Sequence, residues 1–265
     1  MVGVVNITED SFSDGGRYLD GAAALVHARA LMAEGAEVVE LGPASSHPEA
    51  RQVDDAEEIR RIAGPLAELV SSGVEVSIDS CRSATLRHAI GAGATYLNDV
   101  TGFADPALYA ALAGCGAKLV LMHSVQRLAR ADRRRIAPDD VLASVTRFFE
   151  ERLSVLENAG VTRQRIILDP GMGLFLGSDP EASYRVLASI GALRERFELP
   201  VMISVSRKSF LGAATGSGVA ARGSATLAAE LHAARAGADY IRTHDVRALA
   251  DGLAVQAAIR AQRGK

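Results

Sequence analysis

The chain has 265 residues, of which 48% are hydrophobic and 23% charged. This size and composition suit a single globular domain with a sizeable core. A net charge of −3 argues against nucleic acid or an anionic membrane as partner. Two cysteines, Cys81 and Cys115, form neither a metal spacing nor a disulfide framework. No apolar run reaches membrane-spanning length and no leader pattern opens the chain, so the expected location is cytoplasmic.

In chain order, short apolar runs at residues 2–5, 38–39, 74–78, 96–97, 118–122, 166–168, 201–205 and 240–241 read as strands buried on both faces. A helical stretch separates each from the next, which is the pattern of a parallel sheet. Eight such units predict a single (β/α)8 TIM barrel spanning residues 1–265, with its active site at the C-terminal strand ends. Helix exits carry Gly35, Gly93, Gly116, Gly160 and Gly237, where a left-handed residue turns the chain back to the sheet. Long loops without expected secondary structure follow the first strand (7–19), the second (42–54), the fifth (124–138) and the seventh (209–223). The basic run 127–135 lacks interleaved aromatics and reads as a solvated loop face.

Every strand run ends in polar residues: Asn6, Glu40, Asp79, Asn98 and Asp99, His123, Asp169, Ser206-Arg207-Lys208, then Arg242 and His244. Inward carboxylates at that depth need partners, and a planar heterocycle with adjacent N–H donors supplies them by two-point hydrogen bonding. Each of Asp79, Asn98 and Asp169 alone also reads as a helix cap or turn residue; together, on three strands, they favour a site. Ser206-Arg207-Lys208-Ser209 and Arg242-Thr243-His244 bring cations and hydroxyls to the two strand ends where barrels often bind phosphate. Asn6 suits a hard cation or a phosphate oxygen, or else the capping of the first helix. Cys81 reads as an inert thiol.

These residues resemble the dihydropteroate synthases of the pterin-binding barrel family. The resemblance rests on Asn6-Ile7-Thr8-Glu9-Asp10-Ser11-Phe12-Ser13-Asp14-Gly15-Gly16, Ile78-Asp79-Ser80, Leu97-Asn98-Asp99-Val100, Asp169-Pro170-Gly171, Ser206-Arg207-Lys208-Ser209 and Arg242-Thr243-His244, in the family's order. It implies condensation of 6-hydroxymethyl-7,8-dihydropterin diphosphate with p-aminobenzoate, releasing diphosphate, with Mg2+ and as a homodimer. Carried over by position, Asp79, Asn98, Met122, Asp169, Lys208 and Arg242 are expected at the pterin. Of these, Asp169, Lys208 and Arg242 are expected to serve catalysis. Asn6, Ser46, His47, Arg242 and His244 are expected at the diphosphate, with Asn6 also on the metal. Phe12, Pro48, Phe175 and Ser206 are expected around p-aminobenzoate.

Two stretches depart from the family. In the second loop His47 stands where an arginine is usual and Ala44 where a glutamate is usual. After Asp169 the chain runs Pro170-Gly171-Met172-Gly173-Leu174-Phe175-Leu176-Gly177, about two residues longer than the common pattern. Both departures are similar to sulfonamide-insensitive synthases carried on mobile elements, with Phe175 expected to narrow the pocket against the drug. The alternatives are a pterin-dependent methyltransferase and a pterin-binding module without chemistry. A phosphate-binding isomerase is disfavoured because no proton-shuttling base stands out.

Overall fold

The computed structural model describes residues 1–8, 21–45, 53–125 and 137–262. The strands are β1 (Val2–Asn6), β2 (Val38–Gly42), β3 (Glu75–Asp79), β4 (Tyr96–Asp99), β5 (Lys118–Met122), β6 (Ile166–Asp169), β7 (Met202–Ile203) and β8 (Tyr240–Thr243). Between and after them run α1 (Gly21–Ala33), α2 (Asp55–Ser71), α3 (Ser83–Gly91), α4 (Tyr109–Gly114), α5 (Val141–Asn158), α6 (Pro180–Ala188), α7 (Ile190–Phe197), α8 (Ser209–Thr215), α9 (Gly223–Arg235) and α10 (Val246–Gln262).

All strand pairs are parallel, in the order β6-β5-β4-β3-β2-β1-β8-β7. A parallel bridge between Leu168 and Val201, with the Leu168 amide donating to the Pro200 carbonyl at 2.8 Å, joins the two ends. The sheet is therefore the expected (β/α)8 barrel.

Side chains alternate along each strand, and this alternation explains the composition. Val5, Val39, Leu41, Val76, Ile78, Leu97, Leu119, Leu121 and Leu168 join the large core against the helices. A second, smaller cluster of Val2, Val38, Tyr96, Val120, Ile167 and Met202 fills the barrel itself. Its base is closed by Lys118, whose Nζ donates to the Tyr96 and Tyr240 hydroxyls at 3.2 and 3.3 Å. Above the apolar layer the inward positions turn polar, and there the site begins.

Several boundaries differ from expectation for physical reasons. The second strand runs on to Gly42, so Glu40 lies inside β2 rather than at its tip. The seventh strand shrinks to Met202–Ile203, with Val201 contributing only the closing bridge. The stretch after β7 is not an irregular loop, since α8 and a short 3-10 turn, Val219–Ala221, occupy much of it. Of the expected exit glycines, Gly35, Gly93, Gly160 and Gly237 have φ between 88° and 109°, whereas Gly116 is not left-handed; α4 ends instead at an extended Cys115. Cys81 is a partly buried free thiol whose pKa is pushed up to about 12 by burial and then by neighbouring carboxylates.

Candidate active site

The polar layer is organised around Glu40, which is fully buried. Its Oε2 accepts from Ser77 Oγ at 2.9 Å and from Asn98 Nδ2 at 3.2 Å, while its Oε1 accepts from Arg242 Nε. The Arg242 guanidinium then reaches Asp79 through Nη2 at 2.9 Å and lies 3.5 Å from Ser204 Oγ through Nη1. Four strands thus share one network. Burial works against the Arg242 charge, but Glu40 and Asp79 more than offset it, so its pKa is raised. Asp79 is pushed the other way from an ordinary carboxylate, to about 7, by burial and then by Glu40.

Asn98 is 2% exposed, and its Oδ1 has no hydrogen-bond partner among the described residues. With its NH2 group committed to Glu40, the unpaired atom is an acceptor. A buried acceptor left unpaired costs about 1–3 kcal/mol, so the site favours a ligand that donates there.

Asp169 forms the next wall, in register with Met122 across β5 and β6. Its Oδ1 accepts from the Gly171 amide at 2.8 Å, and burial raises its pKa against the attraction of Lys208. Gly171 has φ 72°, and a Cβ there would sit 2.3 Å from the His123 carbonyl oxygen, so this corner requires glycine. Lys208 Nζ donates to the Met172 carbonyl at 3.2 Å and lies 5.3 Å from the Phe175 ring centroid. Burial lowers its pKa to about 8 although Asp169 opposes the shift. The preceding residue, Arg207, has φ 61°. Its amide donates to Thr226 Oγ1 at 3.1 Å and its carbonyl accepts from Arg222 Nη1 at 3.0 Å, which holds this costly conformation beside Lys208.

At the mouth, Asn6 Nδ2 lies 3.5 Å from His244 Nε2, and His244 Nδ1 pairs with Ser206 Oγ at 2.9 Å. Burial, then Arg242, Arg207 and Lys208, lowers the His244 pKa to about 3. His244 is consequently neutral near pH 7 and offers hydrogen bonds rather than charge. Ser206 is buried and engaged by His244, while Ser209, at the first turn of α8, is exposed.

Phe12, Ser46, His47 and Pro48 lie outside the described residues. The roots of their two loops are joined by Arg61 of α2, whose Nη1 donates to the carbonyls of Ile7 and Pro43 at 3.1 and 2.9 Å. Two strand-end residues are structural. Asp99 accepts from the Thr101 and Phe103 amides at 2.7 and 3.0 Å, shaping the turn after β4. His123 pairs with the Pro170 carbonyl at 3.0 Å and packs edge-on against Phe148.

Of the residues expected at the site from the strand-end pattern and the family resemblance, Asn6, Asp79, Asn98, Met122, Asp169, Phe175, Ser206, Lys208, Arg242 and His244 lie at this end of the barrel. Glu40 and Ser77 were missed as site residues. A clue was present in Glu40, a carboxylate directly after two β-branched residues, which a strand two residues longer would carry inside the barrel.

The profile of pterin binding enzymes matches residues 2–244. The chain is 56% identical to the dihydropteroate synthase type-2 of Escherichia coli, over 98% of this chain and 96% of that one. It is 48% identical to the type-3 enzyme of the same organism, covering 98% of each. Among solved structures, Xanthomonas albilineans dihydropteroate synthase with 4-aminobenzoic acid superposes with a TM-score of 0.88 at 36% identity, covering 98% and 92% of the two chains. The Yersinia pestis enzyme in a sulfonamide complex gives 0.89 at 30% identity, covering 98% and 93%.

Proposed function

The chain belongs to the pterin-binding enzymes and, within them, to the dihydropteroate synthases, and from that premise we propose that it joins 6-hydroxymethyl-7,8-dihydropterin diphosphate to p-aminobenzoate. The observation that carries this reading is the unpaired Asn98 Oδ1, set among Asp79, Asp169 and Lys208 and beside the Arg242 cation. A donor-rich heterocycle satisfies the acceptors, and an attached anion meets the cation at the mouth.

In this reading Asp79, Asn98, Asp169, Lys208 and Met122 hold the pterin ring. Arg242 lies between the ring and the diphosphate, with Asn6, His244, Ser46 and His47 around the phosphates. The carbon–oxygen bond breaks early, and positive charge spreads into the ring while diphosphate leaves. Asp169 steadies that charge, and Arg242 steadies the departing anion. The arylamine is already a free base near neutrality, so positioning replaces general-base catalysis.

Mg2+ suits the Asn6 end. A Cβ on Gly42 would lie 3.3 Å from Asn6 Oδ1, so glycine there keeps a hard amide oxygen accessible, and Mg2+ commonly combines few protein ligands with waters and substrate phosphates. When bound, the ion would neutralise the leaving group. Phe12, Pro48, Phe175 and Ser206 are assigned to p-aminobenzoate. Phe175, half-buried with its ring near Lys208 and its backbone held by the Val125 amide donating to its carbonyl at 3.0 Å, supports reduced sulfonamide sensitivity, since a ring placed there narrows that end of the pocket. A homodimer completes the proposal; Val255 and Ile259 of α10, 58% and 54% exposed, offer apolar surface for it.

The test is release of diphosphate from the pterin diphosphate, measured with and without p-aminobenzoate. Release that depends on both substrates supports the synthase. Pterin binding without release supports a silent module, and methyl transfer from a methylated folate supports the methyltransferase.

A further inference from the structure

Among the polar side chains of the barrel, Glu40 holds side chains of three other strands and has no assigned role. It is fully buried and receives donors from three other strands: Ser77 on β3, Asn98 on β4 and Arg242 on β8. It lies deeper than the groups it is bonded to at the mouth, its side chain fully buried while those of Arg242 and Asp79 are 17% and 24% exposed.

We propose that Glu40 is the positioning residue of the pterin pocket, fixing which atom of Asn98 meets the ligand and tethering Arg242 while its outer nitrogens change partners. The inference rests on the synthase reading above and assigns a further residue to that site.

The first half follows from hydrogen-bond arithmetic. An ionised carboxylate only accepts, so the Asn98 NH2 group must turn towards Glu40 and Oδ1 must turn away. A ligand N–H is then welcomed at Asn98, and a ligand carbonyl at the same place is rejected. Without Glu40 the amide can rotate by a half-turn, and this discrimination is lost.

The second half follows from the two ends of Arg242. Arg242 Nη2 holds Asp79, the carboxylate assigned to the heterocycle. A pterin that donates to Asp79 competes with that bond and frees Nη2 for an anion. Glu40 grips Nε, on the stem side of the guanidinium, so the group can let go of Asp79 without leaving the barrel. The same carboxylate keeps a buried cation paired during the exchange, which avoids the cost of an isolated buried charge.

The experiment compares wild type with E40Q, E40D and the double variant E40Q/N98D. It measures binding of 7,8-dihydropteroate by calorimetry, the KM for each substrate, kcat, and folding by circular dichroism. In E40Q the glutamine must donate as well as accept, so it cannot serve three donors. Binding of 7,8-dihydropteroate is expected to weaken at least 10-fold and the KM for the pterin diphosphate to rise similarly, with the KM for p-aminobenzoate within 2-fold. E40D keeps the charge but is one methylene short, and an intermediate loss is expected. In E40Q/N98D the glutamine NH2 can donate to the new carboxylate, whose other oxygen remains an acceptor for the pterin, so binding is expected to recover by several-fold over E40Q. The double variant therefore tests the proposal even if E40Q folds poorly.

If wild type turns over and folded E40Q keeps wild-type pterin binding and KM, the role of Glu40 is overturned while the synthase reading stands. Equal loss in E40Q and the double variant also overturns it, since a generic structural defect has no reason to be rescued. Failure of wild type to bind the pterin compound overturns both.

Discussion

Burial lowers Lys208 to about 8 and His244 to about 3, so these two basic side chains behave differently near neutrality. Lys208 keeps its proton below about 8 and loses it above, and with it the charge facing Asp169. The kcat/KM for the pterin diphosphate is therefore expected to fall on the alkaline side with a midpoint near 8. Lys208→Arg should remove that limb, because arginine stays protonated beyond pH ~12, although its larger head should lower the plateau. A retained limb in the arginine variant would assign the titration elsewhere. Asp169→Asn keeps the shape but not the charge, and a fall in kcat on the order of 10²-fold is expected, the scale of losing one transition-state electrostatic contact. At this scale the sequence revealed residue types at strand ends but not partners. Asp79, Asn98 and Asp169 were legible because each follows an apolar run. The hold of Glu40 on Asn98 and Arg242 was not, because it joins residues 58 and 202 positions apart.

The segment after β6 and the helix α9 each carry a consequence beyond a single contact. The 3-10 turn Gly173–Leu176 places Phe175 near Lys208. Phe175→Ala is expected to lower the inhibition constant of a sulfonamide at least 10-fold while the KM for p-aminobenzoate changes less than 3-fold, as loss of a steric filter requires. An unchanged ratio of the two constants would remove Phe175 from the account. On α9, Glu230 is 1% exposed, and one of its carboxyl oxygens has no partner among the described residues. Burial raises its pKa from 4.5 to about 7 although Thr243 donates to it. The folded chain thus holds this proton more tightly than the unfolded one, and that contribution is lost as pH rises from 4.5 to about 7. Glu230→Gln should stabilise the protein by roughly 3 kcal/mol at pH 8 and have little effect at pH 4, read from urea unfolding. The extra length after Asp169 was visible in the sequence, whereas the 3-10 turn it forms, and the helix α8 after β7, were not, because short polar segments lack the periodicity that marks longer helices.

For the whole molecule, the strand–helix alternation was enough to predict the barrel, since buried parallel strands and right-handed crossovers leave few other arrangements. The form of its closure was not legible. Among the described residues the ring closes through a bridge at Val201, and β7 is only two residues long, where a five-residue run with four apolar residues had suggested a full strand. The inner alternation explains why fold and site coincide: outward positions build the core against the helices, and inward positions change from apolar at the base to polar at the mouth. Assembly is tested at this scale as well. Light scattering is expected to give twice the 27.8 kDa chain mass for wild type and the single-chain mass for V255D/I259D. A monomeric wild type would remove the dimer.

The central claim is that the acceptors of strands three, four and six and the anion contacts at the mouth act on one molecule. It is tested most directly by incubating the purified chain with Mg2+, pterin diphosphate and p-aminobenzoate and identifying the products by mass spectrometry. The account expects 7,8-dihydropteroate and diphosphate in equal amounts, with neither formed when either substrate is omitted and far less of both from Asp169→Asn. Diphosphate release without p-aminobenzoate at an equal rate, or no 7,8-dihydropteroate with both substrates present, would contradict it.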